Sequence, residues 1–252
     1  VIFLGLFNTV DLWIRTFGFS SIITGLIFFG LLFFIQDIIT TPFSLYRTFI
    51  IEEKFGFNKT TPKTYIMDKI KGYFLLIILG GIILSLILFF FESFGRFAWL
   101  YAWLVLSGFL ILIQPLFTLF IAPMFNTFTP LEDGELKDRI NSFAQSVNFP
   151  ISRIDVMDGS KRSSKTNAYF SGLGKNKRIA LFDTLIEKHS INELVSIIAH
   201  EVGHYKKRHN IKGIVLGVFQ SGIMFFMLSI FLNNPELFEA FGMKNLSIYA
   251  RL

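Results

Sequence analysis

Long stretches without a single charged residue set the pattern of this chain. Three of them, Phe17 to Ile35, Tyr73 to Phe91 and Gly213 to Leu232, each run for about the 20 residues that carry a helix across roughly 30 Å of hydrocarbon. A fourth, Phe97 to Phe125, is longer and contains Pro115 and Pro123, which predicts a kinked or tilted span running on into an interfacial segment. Trp99, Tyr101 and Trp103 suit a membrane–water boundary. Buried helices of a soluble protein rarely go uncharged for so long, so the pattern predicts four membrane helices.

From Asn126 to Asn210 the pattern changes. Thr129 and Pro130 read as the N-cap and first residue of a helix, with Leu136, Ile140, Phe143, Ala144 and Val147 on its apolar side and a stop before Pro150. Strand-like runs follow at Ile154 to Met157, Asn167 to Phe170 and Arg178 to Phe182, separated by the turn-rich stretches Asp158 to Thr166 and Gly172 to Lys177. Ser190 with Glu193 forms a capping box that starts a last helix. Its apolar face is Ile191, Leu194, Val195, Ile198, Val202 and Tyr205, and it ends near Asn210 or continues into the fourth span. The predicted fold class is mainly α: a multi-span helical membrane protein with a small α+β segment. The predicted division is a membrane region over 1–125 with three spans and a polar loop over 40–72, the α+β segment over 126–210, and the fourth span with its following loop over 211–252. Val1 to Phe7 is apolar and reads as the tail of an earlier span.

Composition agrees. The chain is 52% hydrophobic and 17% charged, against roughly 25% charged in soluble domains. It has no cysteine, so there is no disulfide framework, and any metal must be held by histidine and carboxylate. The net charge of +6 points to nucleic acid only until the basic residues are located. Of the 24 Lys and Arg, 20 fall in the two polar segments on one side of the four spans and 4 on the other. The positive-inside rule then places both polar segments in the cytoplasm, which implies a lipid bilayer as partner and no nucleic acid.

The last helix carries His200-Glu201-Val202-Gly203-His204, an H-E-x-x-H pattern. Four residues at 3.6 per turn bring His204 back to within about 40° of His200, so both imidazoles can hold one metal ion. Glu201 lies about 100° round the helix and suits a general base rather than a ligand. Zinc with two histidines and one carboxylate keeps a coordination position for water and lowers its pKa towards 7. The candidate roles are metal ligation for His200 and His204, and proton transfer in peptide hydrolysis for Glu201. On an uninterrupted helix His209 points about 140° away from His204, and His189 precedes the helix, so both read as solvated. The acids after His204, Glu236 and Glu239, lie beyond the fourth span, so the third ligand is expected past Leu252. Glu52 and Glu53 read as a solvated interfacial surface, and Asp37 as interfacial.

The residues also resemble a known family, the type I CAAX prenyl proteases, which are integral-membrane zinc metalloendopeptidases. Besides the H-E-x-x-H helix, the resemblance rests on the segments 51–60, 121–125, 159–164, 167–170, 177–185 and 236–242, in that order. It implies seven spans around an intramembrane chamber, removal of the last three residues from a prenylated protein, a peptide or lipidated protein as substrate, and a third zinc ligand, a Glu, after two further apolar segments. It places the protein in a bacterial cell membrane or, in a eukaryote, the endoplasmic reticulum. Asn167 to Phe170 then reads either as an edge strand that pairs with substrate, making Asn167 and Ala168 substrate-binding residues, or as an ordinary sheet strand. Two other functions stay open: a general membrane-protein quality-control metalloprotease, and a non-enzymatic membrane transporter or scaffold.

Overall fold

The apolar runs fall largely within long helices. The structure, a computed structural model, describes residues 6–171 and 177–231; the tail Val1 to Gly5, most of the turn after Ser171 and the stretch 236–242 lie outside them. Helix α1 covers Leu6–Arg15, and α2 covers Ser21–Tyr46 and runs through a π-helical turn to Glu52. Helix α3 (Pro62–Leu75) passes through another such turn into α4 (Gly81–Ser93). Helix α5 (Ala98–Leu116) passes through a third, Phe117–Ile121, into α6 (Ala122–Phe125), and α10 covers His209–Phe231. Among the described residues, four helical stretches are long and apolar enough to span a bilayer: Ser21–Glu52, Pro62–Ser93, Gly95–Phe125 and His209–Ile230. The π turn at Phe117–Ile121 lies just ahead of Pro123. The proline ring would press on the carbonyl of Leu119, four residues back, and a wider turn relieves that contact without breaking the helix.

The chain forms two compact units. One comprises Val1–Phe43, Gly72–Ile111 and Val215–Leu252. Within it Ile14, Phe28 and Leu88 form a buried cluster. Asp11 is fully buried, and its carboxylate accepts from Arg15 Nε at 2.9 Å. Trp103 donates from Nε1 to the Val218 carbonyl at 2.8 Å and lies against Gly222, where an added Cβ would meet the indole at 3.0 Å. That close approach is what a small residue permits between membrane helices. Asp37 accepts hydrogen bonds from the Tyr73 hydroxyl and from Thr41 Oγ1.

The other unit comprises Ser44–Lys71 and Leu112–Ile214. Its centre is a four-stranded sheet in the order β1 (Phe128–Pro130), β2 (Arg153–Met157), β4 (Arg178–Phe182), β3 (Ala168–Ser171). The β2–β4 pair is parallel and the other two pairs are antiparallel. Helices α7 (Glu135–Ser146), α8 (Asp183–Lys188) and α9 (Ile191–Lys206) share one core with the sheet, in which Ile140, Ile179, Leu181, Leu194 and Ile198 are buried. Asp155 on β2 is fully buried, with Arg153 and Arg178 donating to its two carboxylate oxygens. A buried charge held this way leaves neither oxygen unpaired.

The helix expected from Thr129 is corrected. Phe128–Pro130 is an edge strand, Phe128 opposite Met157 and Pro130 opposite Asp155, and the helix begins at Glu135 after Gly134. An edge strand tolerates proline because the missing N–H can face away from the ladder. The mainly helical architecture with a small mixed sheet is otherwise as the sequence predicts.

Candidate active site

The helix that carries the H-E-x-x-H residues is fixed at its start by its cap. The Ser190 backbone N–H donates to the Glu193 carboxylate at 2.8 Å and the Ser190 hydroxyl donates to it at 2.9 Å. The backbone hydrogen bond, then the hydroxyl, hold the Glu193 pKa below its ordinary value. Leu194, Ile198 and Val202 follow at four-residue spacing and are buried in the core, with Val195 and Tyr205 packed against it. Tyr205 meets Phe149 edge to face at 5.1 Å, and Lys177 Nζ sits 3.9 Å from the Tyr205 ring centroid. With that side committed to the core, His200 and His204 are left exposed and Glu201 is half-buried.

The two imidazoles converge. His200 Nε2 and His204 Nε2 stand 3.1 Å apart. Two nitrogens each about 2.0–2.1 Å from one tetrahedral zinc are about 3.3 Å apart, so the pair suits a shared metal ion. The nitrogen donors match zinc in chemistry as well. Among the described residues, no three His, Asp or Glu side chains converge in a way that could hold a metal.

His209 is not where helical counting puts it. Helix α9 ends at Lys206, Arg208 takes a left-handed backbone with φ 55°, and α10 begins at His209. The Arg208 N–H closes on the Tyr205 carbonyl at 2.8 Å, while its own carbonyl accepts from Lys212 at 2.9 Å. Arg208 therefore ends one helix and starts the next, and the turn brings His209 Nδ1 to 2.9 Å from His204 Nδ1. His189 lies apart from this group, its Nδ1 3.0 Å from the Leu185 carbonyl.

Strand β3 is at the sheet edge and packs against α9. The Phe182 N–H donates to the Asn167 carbonyl at 3.1 Å, and Ala168 stands opposite Leu181. The alternation of an antiparallel ladder then turns the backbone groups of Ala168 and Phe170 towards the free edge. Ala168 is buried in the core, and its N–H donates to Asn167 Oδ1 at 2.9 Å. Asn167 itself is exposed.

The loop before β3 rests on Arg162, whose importance the sequence does not reveal. Its guanidinium donates to both Asp68 oxygens at 2.6 and 2.8 Å, to Asn126 Oδ1 at 2.8 Å and to the Phe125 carbonyl at 2.7 Å. The Arg162 carbonyl accepts from the Lys59 N–H and from Thr60 Oγ1, both at 3.0 Å. Ser164 donates from N–H and Oγ to the carbonyls of Phe57 and Gly56, each at 2.9 Å. Lys165 Nζ pairs with Glu52 at 3.0 Å, and Asn58 Nδ2 donates to Glu53 at 2.9 Å. Hydrogen bonding and the Asp68 charge raise the Arg162 pKa above its ordinary value, with desolvation opposing. An open pocket of about 440 Å³ lies beside this network, lined by Ser44, Thr48, Glu52, Tyr65, Asp68 and Arg162 among others.

Comparison with known proteins places these features. Residues 1–127 match the family described as "CAAX prenyl protease N-terminal, five membrane helices", and residues 130–252 match "Peptidase family M48". CAAX prenyl protease 1 of Saccharomyces cerevisiae is 43% identical over 225 residues, covering 88% of this chain and 49% of the yeast protein. The CAAX prenyl protease 1 homologue of Homo sapiens is 35% identical over 238 residues, covering 80% of this chain and 50% of the human protein. The crystal structure of S. mikatae Ste24p superposes with a TM-score of 0.89 at 39% identity, covering 94% of this chain and 57% of that one. The chain spans about half the length of the curated relatives it matches.

Proposed function

Because this multi-span membrane chain belongs to the CAAX prenyl protease 1 family of M48 metallopeptidases, we propose that it forms part of a zinc endopeptidase removing the last three residues of prenylated CAAX-type proteins. The observation that carries this reading is the 3.1 Å approach of His200 Nε2 to His204 Nε2 with Glu201 between them on α9. His200 and His204 would hold the zinc through Nε2, and the third donor is a carboxylate from outside the described residues. When bound, zinc supplies Lewis-acid polarisation of the scissile carbonyl.

The remaining chemistry belongs to the chain. Glu201 takes a proton from the attacking water on its carboxylate and returns it to the nitrogen of the leaving amine. The outward backbone groups of Ala168 and Phe170 pair with an extended peptide laid along β3, which orients it beside α9. Asn167 Oδ1 occupies the Ala168 N–H until substrate arrives. A cytoplasmic position for α9 is supported by the concentration of 20 of the 24 basic residues on one side of the four spans.

The test is Glu201→Gln in the whole protein. Zinc should remain bound by metal analysis, while cleavage of a prenylated peptide falls by about 10²–10⁴-fold. Turnover at the wild-type rate would refute the assignment.

A further inference from the structure

The approach of His209 to His204 gives a third imidazole a place beside the metal pair. On an uninterrupted helix the two side chains would diverge by about 140°. They meet because Arg208 adopts a left-handed backbone, a conformation that is unfavourable for a non-glycine residue. His204 uses its two nitrogens differently. Its Nε2 faces His200 and its Nδ1 faces His209 Nδ1 at 2.9 Å.

Only one arrangement of protons lets His204 ligate through Nε2 and also bond to His209. His204 carries its proton on Nδ1 and donates it, while His209 accepts at Nδ1 and carries its own proton on Nε2. Histidine ligands of metals commonly donate their second N–H to a neighbouring acceptor, which fixes the ring's tautomer and orientation. The acceptor is usually a carboxylate, a carbonyl or water; here a neutral imidazole stands in that place.

Resting on the zinc reading above, we infer that His209 is a positioning residue for the metal site: as acceptor for His204 Nδ1–H it holds the Nε2 lone pair towards the ion. The corner at Lys207 and Arg208 is the device that delivers it. His209 contacts neither the ion nor the substrate, and its effect passes through His204.

The experiment compares the whole wild-type protein with His209→Ala and His209→Asn. Ala removes the acceptor, whereas Asn returns an oxygen near the position of Nδ1. Zinc affinity is read by competition with a chelator, and the His204 tautomer by nitrogen NMR of the metal-free, histidine-labelled protein. The expected result is zinc affinity about 10–100-fold weaker in the Ala variant and near wild type in the Asn variant. Metal-free His204 should be protonated on Nδ1 in wild type and shifted towards the Nε2 tautomer in Ala. Should the Ala variant fail to fold, His209→Lys, which offers donors and no acceptor at this exposed position, replaces it. Equal zinc affinity in wild type and both variants overturns the role of His209 and leaves the zinc reading standing. A wild-type protein that binds no zinc overturns both.

Discussion

Replacing Arg162 by alanine tests whether the loop ahead of β3 depends on one guanidinium. The change deletes four side-chain hydrogen bonds, two of them a bidentate pair with Asp68, and leaves that carboxylate without its cation. Removing one partner of a fully buried ion pair costs about 3–5 kcal/mol. Both side chains here keep 24% of their exposure, so water recovers part of the loss and about 2–4 kcal/mol is the reasonable scale. At roughly 2–4 °C per kcal/mol for a chain of this size, that is a fall of about 4–16 °C in melting temperature. Lysine should restore little, since it cannot reproduce the planar fork. The decisive assay is a double-mutant cycle with Asp68→Asn, followed by thermal unfolding of the whole protein in detergent. A coupling of about 1–3 kcal/mol is expected. Additive losses, with no coupling, would refute the argument that the two side chains act as a pair.

Two further outcomes follow from the fold. Gly159→Ala would bring a methyl within 2.4 Å of the Phe182 ring and should destabilise by about 1–3 kcal/mol, the usual cost of overpacking; unchanged thermal stability would show that the ring moves freely. The Glu193 pKa is lowered by its cap, so the cap's contribution is complete above the ordinary glutamate range and fades as pH falls from about 5 through the folded pKa. Melting curves of wild type and Glu193→Gln should therefore differ near neutrality and converge in acid, and a gap that persists at low pH would count against the carboxylate as its source.

The spans and the H-E-x-x-H pair are legible in the sequence because each rests on one strong signal, the absence of charge over about 20 residues and the return of a helix after four. The ends of the membrane helices are not. The first apolar run stops at Ile35 while the helix reaches Glu52, since hydropathy marks where lipid is and not where backbone hydrogen bonding ceases. Thr129 and Pro130 carry helix-start chemistry, yet pairing with β2 prevailed over local preference. His209 was misplaced by assuming one continuous helix, and a left-handed arginine has no sequence signature. Arg162 was hidden because its partners Asp68 and Asn126 lie 94 and 36 residues away. Of the acids read as solvated surface, Glu53 is exposed while accepting from Asn58, whereas Glu52 is partly buried and pairs with Lys165.

The bonds around Arg162, Ser164 and Lys165 also bear on how the protein is made. Their partners Asp68, Gly56 and Glu52 precede them by 94 to 113 residues. At about 5–20 residues per second, a ribosome finishes the earlier segment some 5–20 seconds before the later one emerges. Throughout that interval the Asp68 carboxylate and the carbonyls of Gly56 and Phe57 wait for these partners, while Glu52 has Arg47 at 3.8 Å. Biogenesis therefore has a vulnerable window whose length scales with elongation rate, and a pause in translation between residues 70 and 160 would prolong it.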